Sequence, residues 1–237
     1  MSPSPPANPV FCAVDTTDLE RAETLADAVR RGGGGVKIGK EFFTAQGPDG
    51  VRRVGRNGET PLFLDLKFHD IPNTVAGAVR AALALAPFLL TVHASGGPAM
   101  LRAAAAAARE AGQDRPRIIG VTVLTSLDDD DLAAVGIAGP TSERVVALAR
   151  LAEASGLDGV VSAPQEIAAI RAACSPDFTL VVPGIRPAGT ASGDQKRTMT
   201  PAEAMALGAD YLVVGRPITE APDPEVAARD IVAELAA

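Results

Sequence analysis

Leu62-Phe63-Leu64-Asp65-Leu66-Lys67-Phe68-His69-Asp70-Ile71-Pro72-Asn73-Thr74 opens as a strand and closes as a turn: Leu62, Phe63, Leu64 and Leu66 are apolar, and Pro72 and Asn73 punctuate the end. Side chains alternate along a strand, so Asp65 and Lys67 point to the same side. If that side is the interior of a barrel, two opposite charges there are costly unless they pair. Asp70 follows where the strand gives way to a loop, so two carboxylates and an ammonium gather at one strand end. The alternative is an ion pair on an exposed edge strand, and the flanking residues are too apolar for it.

Working outward, strand-like and helix-like segments alternate along the chain. Val10 to Asp15 is an apolar run ending in a carboxylate, and Thr17 with Glu20 predicts a capping box for a helix carrying Leu19, Ala22, Ala26 and Val29 on one face. Gly32 to Gly35 ends that helix as a turn; without GxGxxG or GK[ST] it is not read as a phosphate loop. Val36 to Gly39 is the second strand and contains Lys37, and the polar, turn-rich Gly47 to Pro61 leads to the third. Helices are expected over 73–85, 97–112, 142–156 and 165–174, and strands over 88–94, 117–125, 159–163 and 179–185. Asp128 to Asp131 suits a helix start. Thr200, Pro201 and Glu203 form a capping box before the last strand, Tyr211 to Val214, and Asp223-Pro224 opens a final helix.

These are eight strand-then-helix units with no linker between them. Parallel strands joined by helices read as α/β, and eight units in 237 residues fit a closed (β/α)8 TIM barrel of about 250 residues. A single domain over residues 10–237, preceded by a flexible, proline-rich lead over 1–9, is expected. That lead has no basic-then-apolar pattern of a signal peptide. No apolar run reaches the roughly 18 residues of a membrane span. A net charge of −7 and a pI near 4.9 argue against nucleic acid or an anionic membrane as partner, while leaving room for a local basic pocket. Cys12 and Cys174 have no CxxC neighbour and read as reduced thiols of a cytoplasmic protein.

Barrels of this kind carry chemistry at the C-terminal ends of their strands. Those ends supply Asp15, Lys37, then Asp65, Lys67 and Asp70, then His93, Thr125, Arg186, and finally Gly215 with Arg216. Two arginines and a glycine amide at the seam of strands seven and eight fit a phosphate dianion. The long loop Pro187 to Lys196, rich in small residues, suits a lid, or else an ordinary surface loop. Asp15 could instead cap the following helix. His69 and His93 lack a metal-spacing motif and read as supporting groups, so no metal is expected.

The pieces Asp65-Leu-Lys-Phe-His-Asp-Ile-Pro-Asn-Thr74, Val121-Thr-Val-Leu-Thr-Ser126, Pro183-Gly-Ile-Arg-Pro187, Gly193-Asp-Gln195 and Val214-Gly-Arg-Pro-Ile-Thr219 stand in the order of one family. Along nearly its whole length the chain resembles orotidine 5'-phosphate decarboxylase. That resemblance implies orotidine 5'-monophosphate as substrate, UMP and carbon dioxide as products, a homodimer, and no metal or organic cofactor. By position it makes Lys67 the proton donor and Lys37, Asp65 and Asp70 the rest of an alternating charge network, with Asp70 entering from the other subunit. It implies that Asp15 contacts the nucleotide, Thr125 the pyrimidine edge, and Arg186, Gly215 and Arg216 the phosphate. Gln195 would reach in from the lid, and Thr74 would touch the ribose across the dimer.

Chemistry supports these roles. Loss of carbon dioxide from C6 leaves a carbanion in the ring plane with no adjacent π system, and no electron-sink cofactor is signalled. A fixed ammonium beside C6 can stabilise that charge and then protonate it, and flanking carboxylates favour the ammonium form. The nearest enzyme alternative is the magnesium-dependent decarboxylases and aldolases of phosphorylated keto sugars, which share the Asp-x-Lys-x-x-Asp strand. They call for a carboxylate where this chain has Lys37. A Schiff-base aldolase would need an uncharged lysine at position 67. A catalytically dead nucleotide-binding module would not need the complete charge network.

Overall fold

The computed structural model describes residues 5–187 and 199–236. Eight parallel strands close into a barrel in sequence order: β1 (Val10–Val14), β2 (Gly35–Ile38), β3 (Leu62–Phe68), β4 (Leu89–His93), β5 (Arg117–Val121), β6 (Gly159–Val161), β7 (Thr179–Val182) and β8 (Tyr211–Val214), with β8 paired to β1. The helices between and after them are α1 (Leu19–Arg31), α2 (Lys40–Val54), α3 (Pro72–Leu83), α4 (Gly97–Arg109), α5 (Asp129–Ala134), α6 (Thr141–Ala154), α7 (Ile167–Ala173), α8 (Pro201–Ala206), α9 (Arg216–Thr219) and α10 (Pro224–Ala233). The (β/α)8 expectation holds.

Two apolar layers explain why the strands read as nearly continuous hydrophobic runs. Outward-facing residues such as Leu62, Leu64, Leu66, Leu90 and Val92 pack beneath the helices, whereas Phe11, Phe63, Leu89, Ile119, Val181 and Val213 fill the barrel. In the interior the Phe11 ring meets Phe63 edge-on at 5.7 Å, Phe88 stacked at 6.3 Å and Tyr211 edge-on at 5.6 Å. Aromatic bulk therefore fills the barrel on the side of the strands' beginnings and leaves polar residues for their ends.

Three local expectations are revised. Helix α1 is capped by Asp18, whose carboxylate accepts from the Arg21 amide at 3.1 Å, rather than by a Thr17–Glu20 box. The Thr16 hydroxyl accepts from the Asp18 amide and turns the chain one residue later than expected. The segment after Gly47 is helical to Val54: Gly47 breaks the axis with φ +61°, and Pro48 restarts it where no amide proton is needed. Several strands also end earlier than the apolar runs suggest, β5 at Val121 and β7 at Val182, so Thr125 and Arg186 lie on the loops beyond. The Asp128 cap of α5, the Thr200–Glu203 box of α8 and the Asp223 cap of α10 form as expected.

The chain is already fastened before β1. The Asn8 amide group donates to the Gly32 carbonyl at 2.8 Å, and the Leu212 amide donates to the Pro9 carbonyl at 2.8 Å. Both cysteines are free, and burial pushes the Cys12 thiol up to about 12. Among the described residues, no helix is long and apolar enough to cross a membrane.

Phe11 touches three other rings in a closed interior, so Phe11→Ala is expected to destabilise the barrel by about 3–5 kcal/mol. Urea unfolding followed by circular dichroism measures this. A loss below about 1 kcal/mol would mean the interior repacks around the missing ring.

Candidate active site

The interior positions of β3 run Phe63, Asp65, Lys67, and the polar pair falls where the aromatic filling stops. Asp65 is 8% exposed. Its Oδ2 accepts from Lys67 Nζ at 2.7 Å and lies 3.7 Å from Lys37 Nζ, which is itself 3.6 Å from Asp15 Oδ1. Asp15, Lys37, Asp65 and Lys67 thus form a chain of alternating charge across β1, β2 and β3. Gly39, just after β2, leaves room for it: a Cβ there would sit 3.3 Å from Asp15 Oδ1 and 3.5 Å from Lys37 Nζ. Burial alone would push the Asp65 carboxyl up. The ammoniums of Lys37 and Lys67, with hydrogen bonds from Lys67 and Thr91, outweigh burial and hold it below the ordinary carboxylate range.

The backbone at this point is unusual. Lys67 has φ +53°, and the β3–β4 register shifts between Leu64 and Phe68. The Lys67 amide donates to Thr91 Oγ1 at 2.8 Å, and that hydroxyl donates to Asp65 Oδ1 at 3.0 Å. Thr91 is fully buried in β4. Sequence reasoning took His93 from this strand and passed over Thr91, although Leu89, Thr91 and His93 share the inward parity.

Two connected lobes open at the strand ends. One, of about 250 Å³, is lined by Lys37, Asp65 and Lys67, by the aliphatic Val121, Val123, Leu124, Val161 and Val213, and by Thr125 and Ser126. The other, of about 260 Å³, is lined by Asp15, Lys37, Gly184, Arg186, Gly215 and Arg216. Lys37, Pro183 and Val213 belong to both. Arg186 is buried, and its Nε has no hydrogen-bond partner among the described residues. Burial first, and then the Arg216 charge, pull its guanidinium down from its ordinary range, so this lobe would welcome an anion. The Arg186 amide donates to the Met199 carbonyl at 3.0 Å, which ties together the chain on either side of residues 188–198.

The structure therefore brings together Asp15, Lys37, Asp65, Lys67, Thr125, Arg186, Gly215 and Arg216 within one chain. It does not bring Asp70 or Thr74 into either lobe. Both are exposed, and Asp70 Oδ1 accepts from the Ile71 amide at 2.6 Å. Gln195 and most of the expected lid lie outside the described residues. Ser126 lines the first lobe beside Thr125 and was not singled out from sequence.

The model of the orotidine 5'-phosphate decarboxylase / HUMPS family matches residues 8–231. The chain belongs to that family. Orotidine 5'-phosphate decarboxylase from Rhodospirillum rubrum is 55% identical over 236 residues, covering 96% of this chain and 94% of the relative. The enzyme of the same name from Moorella thermoacetica is 56% identical over 231 residues, covering 95% and 91%. The crystal structure of orotidine 5'-phosphate decarboxylase from Lactobacillus acidophilus superimposes with a TM-score of 0.86 at 36% identity, covering 97% of this chain and 100% of that one. The fold of this family member thus has a close counterpart over nearly the full length.

His93 sits beside this site, its ring 5.3 Å from that of His69. Burial, then the charges of His69, Lys40 and Lys67, lower its pKa from 6.5 to about 4, with Asp65 opposing. Between pH 6.5 and about 4 the unfolded chain binds a proton that folded His93 refuses, so stability falls as pH drops through that window. The difference in denaturation midpoint between native protein and His93→Gln should be constant above pH 7, and the native protein should lose more stability toward pH 4. An NMR titration placing His93 near its ordinary value would overturn this.

Proposed function

We propose that this chain decarboxylates orotidine 5'-monophosphate to UMP and carbon dioxide, with the Lys67 ammonium stabilising and then protonating the C6 carbanion. The observation that carries the reading is the placement of Lys67 Nζ, 2.7 Å from a buried carboxylate and at the mouth of a lobe that continues into a two-arginine lobe. A nucleotide spanning both lobes puts its phosphate against Arg186, Arg216 and the Gly215 backbone. Its ribose then runs past Asp15 and Lys37, and its pyrimidine faces Thr125, with C6 toward Lys67. Gln195 would close over base and phosphate from the loop that follows β7.

The charge network fixes the cation before substrate arrives, so little reorganisation is needed as negative charge develops at C6. The substrate carboxylate meets Asp65 as a like charge, whereas neutral carbon dioxide suits the aliphatic residues of the same lobe. Phosphate binding, remote from C6, contributes to rate if loop closure uses it to assemble and dry the site. Lys37, where the magnesium-dependent keto-sugar enzymes would need a carboxylate, favours the cofactor-free reaction and the decarboxylase side of the family.

Lys67 gains a second acid if Asp70 reaches it from another copy. Asp70, Ile71, Pro72, Asn73 and Thr74 are all exposed at the mouth, and Ile71 is 68% exposed, the kind of apolar projection a partner surface covers. A homodimer in which Asp70 and Thr74 complete the neighbouring site accounts for that strip.

Lys67→Ala should abolish the fall in ultraviolet absorbance as orotidine monophosphate is consumed, while UMP still binds. Chelator should leave the native rate unchanged, and the phosphate-free nucleoside should lose turnover as well as affinity. Retained turnover in Lys67→Ala, or loss with chelator, would sink the mechanism. Separately, Lys67→Ala and Asp70→Ala proteins, each inactive alone, should regain about one quarter of native activity when unfolded, mixed and refolded, since half the dimers are mixed and each holds one native site. No recovery would place Asp70 outside the partner's site.

A further inference from the structure

We propose that Thr91 is a positioning residue for the reaction: its single hydroxyl both holds the left-handed backbone turn at Lys67 and orients Asp65 toward the Lys67 ammonium. The proposal rests on the reading that Lys67 is the reactive cation.

A lysine at φ +53° is in a conformation that side chains with a Cβ disfavour, and something must hold it there. The break in the β3–β4 register between Leu64 and Phe68 falls at this residue. The Lys67 amide points at a side chain, Thr91 Oγ1, 2.8 Å away, where a regular ladder would offer a backbone carbonyl. A hydroxyl has one proton to give. With Lys67 N–H occupying an acceptor site of the oxygen, that proton goes to Asp65 Oδ1, 3.0 Å away. Asp65 Oδ2 in turn accepts from Lys67 Nζ at 2.7 Å. The result is a closed ring of hydrogen bonds: Lys67 amide to Thr91 hydroxyl, Thr91 hydroxyl to Asp65 carboxylate, Lys67 ammonium to the same carboxylate. Every direction in it is fixed by the donor inventory of its members. Thr91 is fully buried, so water does not substitute for the hydroxyl. The arrangement decides which way Lys67 Nζ points before any substrate is present, the condition under which a fixed charge is worth most to a transition state.

Thr91→Val keeps shape and removes both hydrogen bonds; Thr91→Ser keeps both. For Thr91→Val, kcat on orotidine monophosphate should fall about 10–100-fold, the range seen when a group orienting an active-site residue is removed, while UMP affinity stays near native. The acid limb of its kcat/KM profile should move to higher pH, because Asp65 loses a donor. The groups facing Asp65 are Lys37 from β2, Lys67 from its own strand and His93 from β4, with Asp15 acting through Lys37; all remain in the variant. Thr91→Ser should restore both kcat and the acid limb. If Thr91→Val does not fold, Thr91→Cys, whose thiol fills the space but hydrogen-bonds weakly, replaces it. Native kcat and an unmoved acid limb in the variant would overturn the proposal. So would a parallel loss of turnover, UMP binding and thermal stability without any shift of the limb, since that is the mark of a purely structural threonine. Lys67→Ala run alongside separates the two readings: full turnover there removes the reactive-lysine mechanism itself, whereas a dead Lys67→Ala beside a native-like Thr91→Val removes only the role of Thr91.

Discussion

The fold depends at its working end on one buried carboxylate shared by two ammoniums. Asp65 is nearly inaccessible, yet it stays charged because Lys67 and Lys37 approach the same oxygen, Oδ2, while a threonine hydroxyl occupies the other. A buried acid with both ammoniums removed would be left uncompensated. The sharing therefore ties three strands into one electrostatic unit: β2 supplies Lys37, β3 supplies Asp65 and Lys67, and β4 supplies Thr91. The geometry is available because a closed parallel barrel aims all strand ends at one mouth. Below it, Phe11, Phe63 and Phe88 fill the interior.

That constraint also explains the backbone irregularity. Keeping β3 regular through Phe68 would continue its ladder to β4 and leave Thr91 as one more interior side chain. The register shift instead trades main-chain pairing for a side-chain acceptor and brings the Lys67 amide and ammonium into the same small ring as Asp65. Local strain at a site is sustained when the surroundings over-determine it. Here the over-determination is three hydrogen bonds and the apolar packing of Leu66 and Phe68 on the outer face.

The barrel and the shared side of Asp65 and Lys67 were legible in the sequence because both follow from period-two alternation, whereas the ends of β5 and β7 fall earlier than the apolar runs suggest. Alternation alone placed Asp65 and Lys67 on one side. What was not legible has local causes. The α2 extension past Gly47 was hidden by a Gly-Pro pair that usually ends a helix and here only bends one. The Asp18 cap was hidden by a neighbouring Thr17–Glu20 spacing that matches the box rule equally well. The left-handed turn at Lys67 has no compositional sign, since lysine carries no preference for it. Thr91 could have been found by carrying the parity of Leu89 and His93 one step inward. Asp70 and Thr74 could be singled out but not positioned, because both are exposed and line neither lobe of their own chain.

The two lobes differ in charge type. The arginine lobe holds delocalised cations that suit a phosphate and cannot give up a proton, and burial leaves Arg186 short of partners. The lysine lobe holds ammoniums, compact charges able to donate one. Lys37 stands where the lobes meet, paired on one side to Asp15 and on the other to Asp65. A carboxylate in its place would put three acids around the lobe junction with Lys67 as the only ammonium among them, a site that invites a divalent ion. With lysine there, the junction is already neutralised by the protein's own charges.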